Sequence, residues 1–279
     1  MKDKRILYVS SEVVPYLPET EIASTAFNVA KKAHSKGVQT RIFMPRFGVI
    51  NERRHQLHEV IRLSGMNLII NDMDMPLIIK VASIPKERMQ VYFIDNDEYF
   101  KRKAIFSDED DQLFSDNDER AIFFAKGVVE TVKKLNWAPD IIHVHGWMAS
   151  LLPLYIKEYY KDDYYSVGFD FGKGTQAGYF STKDEKPSWK KVEIKEPFAK
   201  TYAETLNLAK DEIYFIDMSK ALDGNSSNFF KKKSKQIVAG GDGFNPKKDN
   251  LYNKKFSEMY DGLIFIKNIS LPTNNLIAK

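Results

Sequence analysis

The sequence predicts an α/β protein: an open, mostly parallel sheet in its first part, followed by a shorter strand-containing α/β stretch. Three observations lead there. Short apolar runs alternate with amphipathic stretches of helical period from the start of the chain. One later run, Asp140 to Val144, is too uniformly apolar for a strand with one wet face. The composition also breaks near Asp162: every arginine lies at or before Arg120 and every histidine at or before His145. Up to Asp162 the charges cancel, whereas the remainder carries 19 lysines against 15 acids. We therefore expect two domains, 1–162 and 163–279.

Arg5 to Ser10 reads as the first strand, ended by a loop holding Pro15 and Pro18. Thr20 to Lys36 sets Ile22, Ala23, Ala26, Phe27, Ala30 and Ala33 at helical spacing, with Thr20 as N-cap and Gly37 just past the end. Gln39 to Met44 is the next strand, so the opening is a βαβ unit and favours parallel pairing. Leu57 to Ile61, Met66 to Ile70, Leu77 to Ile84 and Met89 to Ile94 suggest a hairpin-rich insertion. Asp116 to Leu135 is the clearest helix, capped by Asp116 or Asn117 and buried through Ile122, Phe123, Ala125, Val128, Val129 and Val132. Asp140 to Val144 then forms a core strand ending in His145-Gly146-Trp147, after which a helix is expected over Met148 to Tyr160.

Several classes of chemistry are excluded by composition. With no cysteine there is no disulfide, thiolate zinc site or cysteine nucleophile. A net charge of +4 spread over 279 residues without a basic patch does not argue for nucleic acid. No apolar run approaches the ~20 residues of a membrane span, and Met1 to Arg5 leads directly into a strand; both favour a cytoplasmic protein without a membrane partner. The acidic run Asp108-Glu109-Asp110-Asp111 has the character of a solvated loop, and His143-x-His145 lacks a third ligand nearby, so no metal and no cofactor are assigned. Lys231 to Lys235 reads as an exposed basic turn. Phe171-Gly172-Lys173-Gly174-Thr175 lacks the glycine spacing of a phosphate loop.

In an open α/β sheet, ligands bind beyond the carboxyl ends of strands. Two such ends carry polar groups: Ser10-Ser11-Glu12 after the first strand and His143-Val144-His145-Gly146-Trp147 after the later one. Strand alternation places His143 and His145 on one side, with His145 nearer the opening. An imidazole there can serve a sugar hydroxyl or a developing oxyanion. Satisfied core and capping roles for the two histidines remain the competing reading.

The first part resembles the N-terminal half of glycogen and starch synthases. The resemblance is carried by Ile6-Leu7-Tyr8-Val9-Ser10-Ser11-Glu12-Val13-Val14-Pro15; by Gly37 and the strand leading to Met44-Pro45-Arg46-Phe47-Gly48; by Asp116-Asn117 with Arg120; and by Pro139-Asp140-Ile141-Ile142-His143-Val144-His145-Gly146-Trp147 with Leu152-Pro153-Leu154-Tyr155. It implies a Rossmann-like open parallel sheet, the N-terminal half of a GT-B fold. It also implies retaining, metal-independent glucosyl transfer from ADP-glucose or UDP-glucose to an α-1,4-glucan. By the same resemblance His145 is the catalytic candidate, and Glu12, Asp116, Asn117 and Trp147 are candidates for binding substrate. Where such enzymes carry Lys-x-Gly-Gly, this chain has Pro18-Glu19-Thr20-Glu21; their His-Asp-Trp-His reads His145-Gly146-Trp147-Met148. Two acids in place of the phosphate cradle would repel a diphosphate.

The second part is similar to the C-terminal end of erythromycin esterase-like proteins, through Tyr164 to Thr175, Glu212 to Leu222 and Tyr260 to Lys267. That family's catalytic His and Glu lie upstream of this segment, which contains no histidine. The chain thus has the character of a chimera joined near Tyr160 to Tyr164. The expectation is a glycosyltransferase fragment inactive alone, lacking the donor-binding half. A non-catalytic glucan-binding or regulatory module and a disarmed esterase fragment are the alternatives. Incomplete sheets expose edges and apolar faces, so a homo-oligomer is expected through those edges.

Overall fold

A computed structural model describes residues 4–110, 112–180, 188–237 and 251–270, so Asp111 of the acidic run lies outside the described residues. The chain divides into two compact units, Met1–Asp162 and Asp163–Lys279.

The first unit holds a seven-stranded sheet in the order β3-β5-β6-β2-β1-β7, with β4 paired to β5. Its elements in chain order are β1 (Arg5–Ser10), α1 (Glu21–Ser35), β2 (Gln39–Pro45), the single turn α2 (Glu52–His55), β3 (His58–Glu59), β4 (Met66–Ile70), β5 (Met73–Ser83), β6 (Gln90–Asp95), the single turn α3 (Asp97–Phe100), α4 (Asn117–Leu135), β7 (Ile141–His145) and α5 (Leu152–Tyr160). Strands β7, β1, β2 and β6 are mutually parallel, and β5 runs antiparallel to β6. The chain steps outward from β1 to β2 and then β6, and α4 carries it back to the other side of β1, where β7 pairs. Strand order therefore reverses between β1 and β7.

Helix α1 starts where expected, with the Thr20 hydroxyl accepting from the Ala23 amide at 3.0 Å, and it buries Ala23, Ala26 and Ala30. These small residues let the helix lie close to the sheet. Helix α4 is seated through Gly127, where a Cβ would stand 2.7 Å from the Ile94 side chain. Phe124 joins the buried stripe read from the sequence, while Ile122 lies at its half-exposed border.

Five expectations need correction. The strand expected in the core over Asp140 to Val144 is β7, at one end of the sheet order, with Ile141 exposed. Met89 to Ile94, read as part of an insertion, gives β6, a parallel neighbour of β2 in the main sheet. The strand expected over Leu57 to Ile61 is only His58–Glu59, because its partner β5 offers it just Val81 and Lys80. Strand β5 begins four residues before Leu77, since Asn71 and Asp72 take left-handed conformations that fold β4 back onto it in a two-residue hairpin. The helix expected from Met148 is a 3-10 turn, Trp147–Ala149, followed by α5. Pro153 has no N–H to bond back to the Ala149 carbonyl, so a continuous helix is broken there.

The second unit contains β8 (Val167–Phe180), β9 (Ser188–Ile194), α6 (Tyr202–Leu206), β10 (Ile213–Asp217), α7 (Met218–Asp223), α8 (Ser227–Phe230), β11 (Ser234–Ile237), β12 (Leu251–Lys254), α9 (Phe256–Met259) and β13 (Gly262–Ile269). Its four-stranded sheet has the order β10-β13-β8-β9, and β11 pairs with β12. One sheet face packs Leu263 and Phe265 under Tyr202, Leu206, Met218, Phe230 and Phe256, with Tyr202 and Phe256 stacked at 4.5 Å. The other carries the cross-strand row Phe215, Ile264, Phe169, of which Phe215 and Phe169 are exposed.

On the packed face Asp170 stands beside Phe265 in register, and glycines on both sides admit Tyr260 at Gly168 and Asn207 at Gly172. Its Oδ1 accepts from the Phe171 amide at 2.9 Å, whereas Oδ2 is buried without a hydrogen-bond partner. Burial raises this carboxyl to about 6. Between the unfolded value near 3.8 and the folded value the unfolded chain is the more ionised, so stability falls as pH rises across that window. We expect Asp170→Asn to gain on the parent as pH climbs from 4 to 7, by a few kcal/mol at the upper end. Urea melts at several pH values, with amide exchange at β8 and β13 reporting this unit, will check it.

Candidate functional site

The strand order reverses between β1 and β7, the position at whose carboxyl ends an open α/β sheet generally holds its ligands. Parallel register sets Ser10 opposite His145, and the Ser11 amide donates to the His145 carbonyl at 3.1 Å. The loop after β1 is tightened by Ser10 Oγ, which donates to the Glu12 carbonyl at 2.6 Å and accepts from the Glu12 amide at 3.2 Å. Gly146 adopts φ +78°, and a Cβ there would sit 2.4 Å from Ser11 Oγ. Glycine is therefore what allows the two loops to touch.

His143 and His145 share a face as alternation requires. Their rings meet edge to face at 4.4 Å, with His145 Nε2 2.9 Å from His143 Nδ1. Burial lowers both imidazoles; His145 falls to about 4, with the neighbouring His143 adding to the effect. Both are neutral at pH 7. Glu12 is buried and accepts from the Thr20 hydroxyl at 2.6 Å. Burial holds its carboxyl above the usual range, and the Thr20 bond only partly opposes this. The substituted loop thus spends Thr20 twice, on the N-cap of α1 and on Glu12.

Trp147 is 40 % exposed and packs on Phe106 at 4.9 Å. Phe106 belongs to the strap that runs from β6 to α4, and sequence reading missed it because no periodicity marks that strap. Asp116 and Asn117 hold the strap in place. Asp116 occupies the N-cap position without capping; its two oxygens accept from Arg102 Nη1 and Nη2 at 2.7 and 2.5 Å. This pairing keeps Asp116 below the ordinary carboxylate range. The Asn117 amide donates to the Phe106 carbonyl at 2.8 Å, and its oxygen accepts from Arg120 at 2.6 Å. Arg120, fully buried, also donates to the Tyr99 carbonyl and lies against Phe47, Phe100 and Phe114. Of the five residues singled out from sequence, then, Glu12, His145 and Trp147 lie at the two strand ends. Asn117 reaches Trp147 through Phe106, and Asp116 holds Arg102 of the same strap.

Arg46, just after β2, and Lys80, within β5, are engaged with acids. Arg46 and Lys80 lie 2.9 and 3.1 Å from the two oxygens of buried Asp95, and Lys80 also donates to Glu52 at 2.7 Å. Among the described residues no three His, Asp or Glu side chains converge as metal ligands, and no helix is long and apolar enough to cross a membrane. A separate groove of about 760 Å³ lies between β4, α4 and α5, lined by Leu68, Ile69, Val129, Lys133, Tyr155 and Tyr159 among others. None of the strand-end residues lines it.

A mostly parallel sheet whose strand order reverses between β1 and β7 is a Rossmann-like architecture. The chain belongs to the starch synthase catalytic domain family, whose model matches residues 5–168. The erythromycin esterase family model matches residues 154–269, so the two matches overlap across α5 and the boundary between the units. The chain is 39 % identical over 170 residues to a glycogen synthase of Chlorobium luteolum, covering 60 % of this chain and 34 % of that protein. It is 40 % identical over 157 residues to one of Chlorobium limicola, covering 56 % and 32 %. It spans about a third of the length of these relatives. Among solved structures, the catalytic domain of Starch Synthase IV from Arabidopsis thaliana bound to ADP and acarbose superposes with TM-score 0.51 at 18 % identity, covering 63 % of this chain and 36 % of that one. The fold of the first unit is accordingly the Rossmann-like half of a GT-B arrangement.

Two substitutions test this geometry. Gly146→Ala should destabilise the first unit by about 1–3 kcal/mol through its left-handed backbone and the Ser11 contact, measured by urea unfolding. Asp116→Ala should release the strap, read as increased acrylamide quenching of Trp147 in a Trp137→Phe, Trp189→Phe background.

Proposed function

We propose that this chain is the acceptor-side half of a glycogen- or starch-synthase-type glycosyltransferase, that it binds an α-1,4-glucan at the β1/β7 crevice, and that by itself it transfers no glucose. The observation that carries this is the chemistry of the crevice: a neutral His145 and an exposed Trp147 backed by Phe106, beside a first loop that presents acids where a diphosphate needs cations. Neutral imidazole and an indole face suit an uncharged sugar, offering a hydroxyl partner and a stacking surface. Glu12 adds an acceptor, or a donor when protonated, at the end of β1. Asp116 and Asn117 serve by positioning Phe106, because their polar atoms are taken by Arg102, Arg120 and the Phe106 carbonyl.

Were a donor lobe supplied by another chain, the sugar nucleotide, ADP-glucose or UDP-glucose, would be held there. His145 would then bind sugar hydroxyls and stabilise charge as the nucleotide departs, in a retaining reaction without metal. The second unit supplies strands and turns and no hydrolytic histidine; the exposed Phe169 and Phe215 and the free sheet edges support self-association. The setting we propose is the cytoplasm.

Radiolabelled ADP-glucose and UDP-glucose incorporation, run beside glycogen co-sedimentation, tests the reading. The expected outcome is glycogen retention without incorporation, with Trp147→Ala or His145→Ala weakening retention about tenfold. Incorporation at ordinary enzymatic rates would overturn the claim of inactivity, and loss of retention in the unsubstituted chain would overturn the glucan site.

A further inference from the structure

We propose that His143 and His145 work as one tautomer-coupled pair, in which His143 is the positioning residue that decides whether His145 offers a ligand hydroxyl a hydrogen-bond donor or an acceptor. This deepens the glucan-site reading and rests on it for the identity of the ligand.

The argument starts from the register of β7. His143 stands opposite Tyr8 on β1, and the two rings meet edge to face at 5.6 Å, which sets the plane of the His143 ring. Two residues on, the His145 ring stands at 87° to it, with its Nε2 2.9 Å from His143 Nδ1. A neutral imidazole has one N–H and one lone pair, so this contact holds a single proton and admits two arrangements. In one, His145 donates from Nε2 and its Nδ1 is left as an acceptor. In the other, His143 donates from Nδ1, and His145 carries its remaining proton on Nδ1 as a donor. Interchange moves the bridging proton from His145 Nε2 to His143 Nδ1, while water delivers a proton to His145 Nδ1 and removes one from His143 Nε2. Each ring stays neutral and the proton count is unchanged.

The coupling matters because a sugar hydroxyl both donates and accepts. A histidine locked by a carboxylate offers a single role, since the carboxylate accepts and never donates. A second imidazole can do either, so the pair adapts to whichever way the hydroxyl points. Desolvation keeps both rings uncharged at neutral pH, which the scheme requires.

The test is long-range ¹H–¹⁵N NMR on the full chain labelled at histidine, at pH 7, with maltohexaose as ligand. Each of the two rings should show one protonated and one bare nitrogen, and maltohexaose should shift the nitrogens of His143 as well as those of His145. His143→Phe keeps a ring against Tyr8 but removes the bond; His145 shifts should move towards those of a free imidazole and maltohexaose affinity should fall about tenfold. His143→Asn, whose amide reaches the place of Nδ1, should restore most of both and shows that folding is not the cause. Unchanged His145 shifts in His143→Phe would overturn the coupling, as would failure of His143→Asn to restore them in a folded chain. If the shifts respond as expected but the unsubstituted chain binds no maltohexaose, the coupling stands and the glucan reading falls.

Discussion

The structure of the first unit depends on the parallel pairing of β1 with β7. That pairing is long in sequence, joining Ile6 to Ile141 and Ser10 to His145, and it closes only after α4 has carried the chain back across the sheet. Once it closes, the two loops that leave these strands have nowhere to go but against each other, and Gly146 over Ser11 is the consequence. The meeting of these two strand ends is thus a product of strand order. Neither loop makes it alone.

Charge in the same region is arranged inwardly. Arg46 and Lys80 neutralise buried Asp95, Arg102 is forked onto Asp116, and Arg120 is enclosed by aromatic rings while its N–H groups bridge Tyr99 and Asn117. These four cations hold elements of the fold to one another. The histidines follow the same logic from the opposite side: burial removes their charge and leaves hydrogen-bonding capacity alone.

The second unit obeys a different constraint. Its sheet buries one face in an aromatic core around Tyr202 and leaves the row Phe215, Ile264, Phe169 on the other. Two of the three pairings in this mixed sheet are antiparallel, and an antiparallel sheet can leave one face to solvent. The two family models overlap at residues 154–168, where one unit gives way to the next. Lodging Asp170 in the packed face, with one oxygen unpartnered, makes this unit the acid-favouring part of the molecule.

Much of this was legible from sequence because it is local. Thr20 caps α1, apolar spacing marks α4, and alternation alone sets His143 and His145 on one face, since each depends on neighbours a few residues away. What sequence could not show is which strand ends meet, because that follows from the β1–β7 pairing across more than a hundred residues. It equally could not show that Asp116 and Asn117 grip a strap: their role depends on Arg102, Phe106 and Arg120 arriving from elsewhere in the fold. Residue types and periodicity determined the elements and the candidate chemistry; tertiary packing decided which of those groups share a crevice, because only burial and register bring distant side chains within hydrogen-bonding reach.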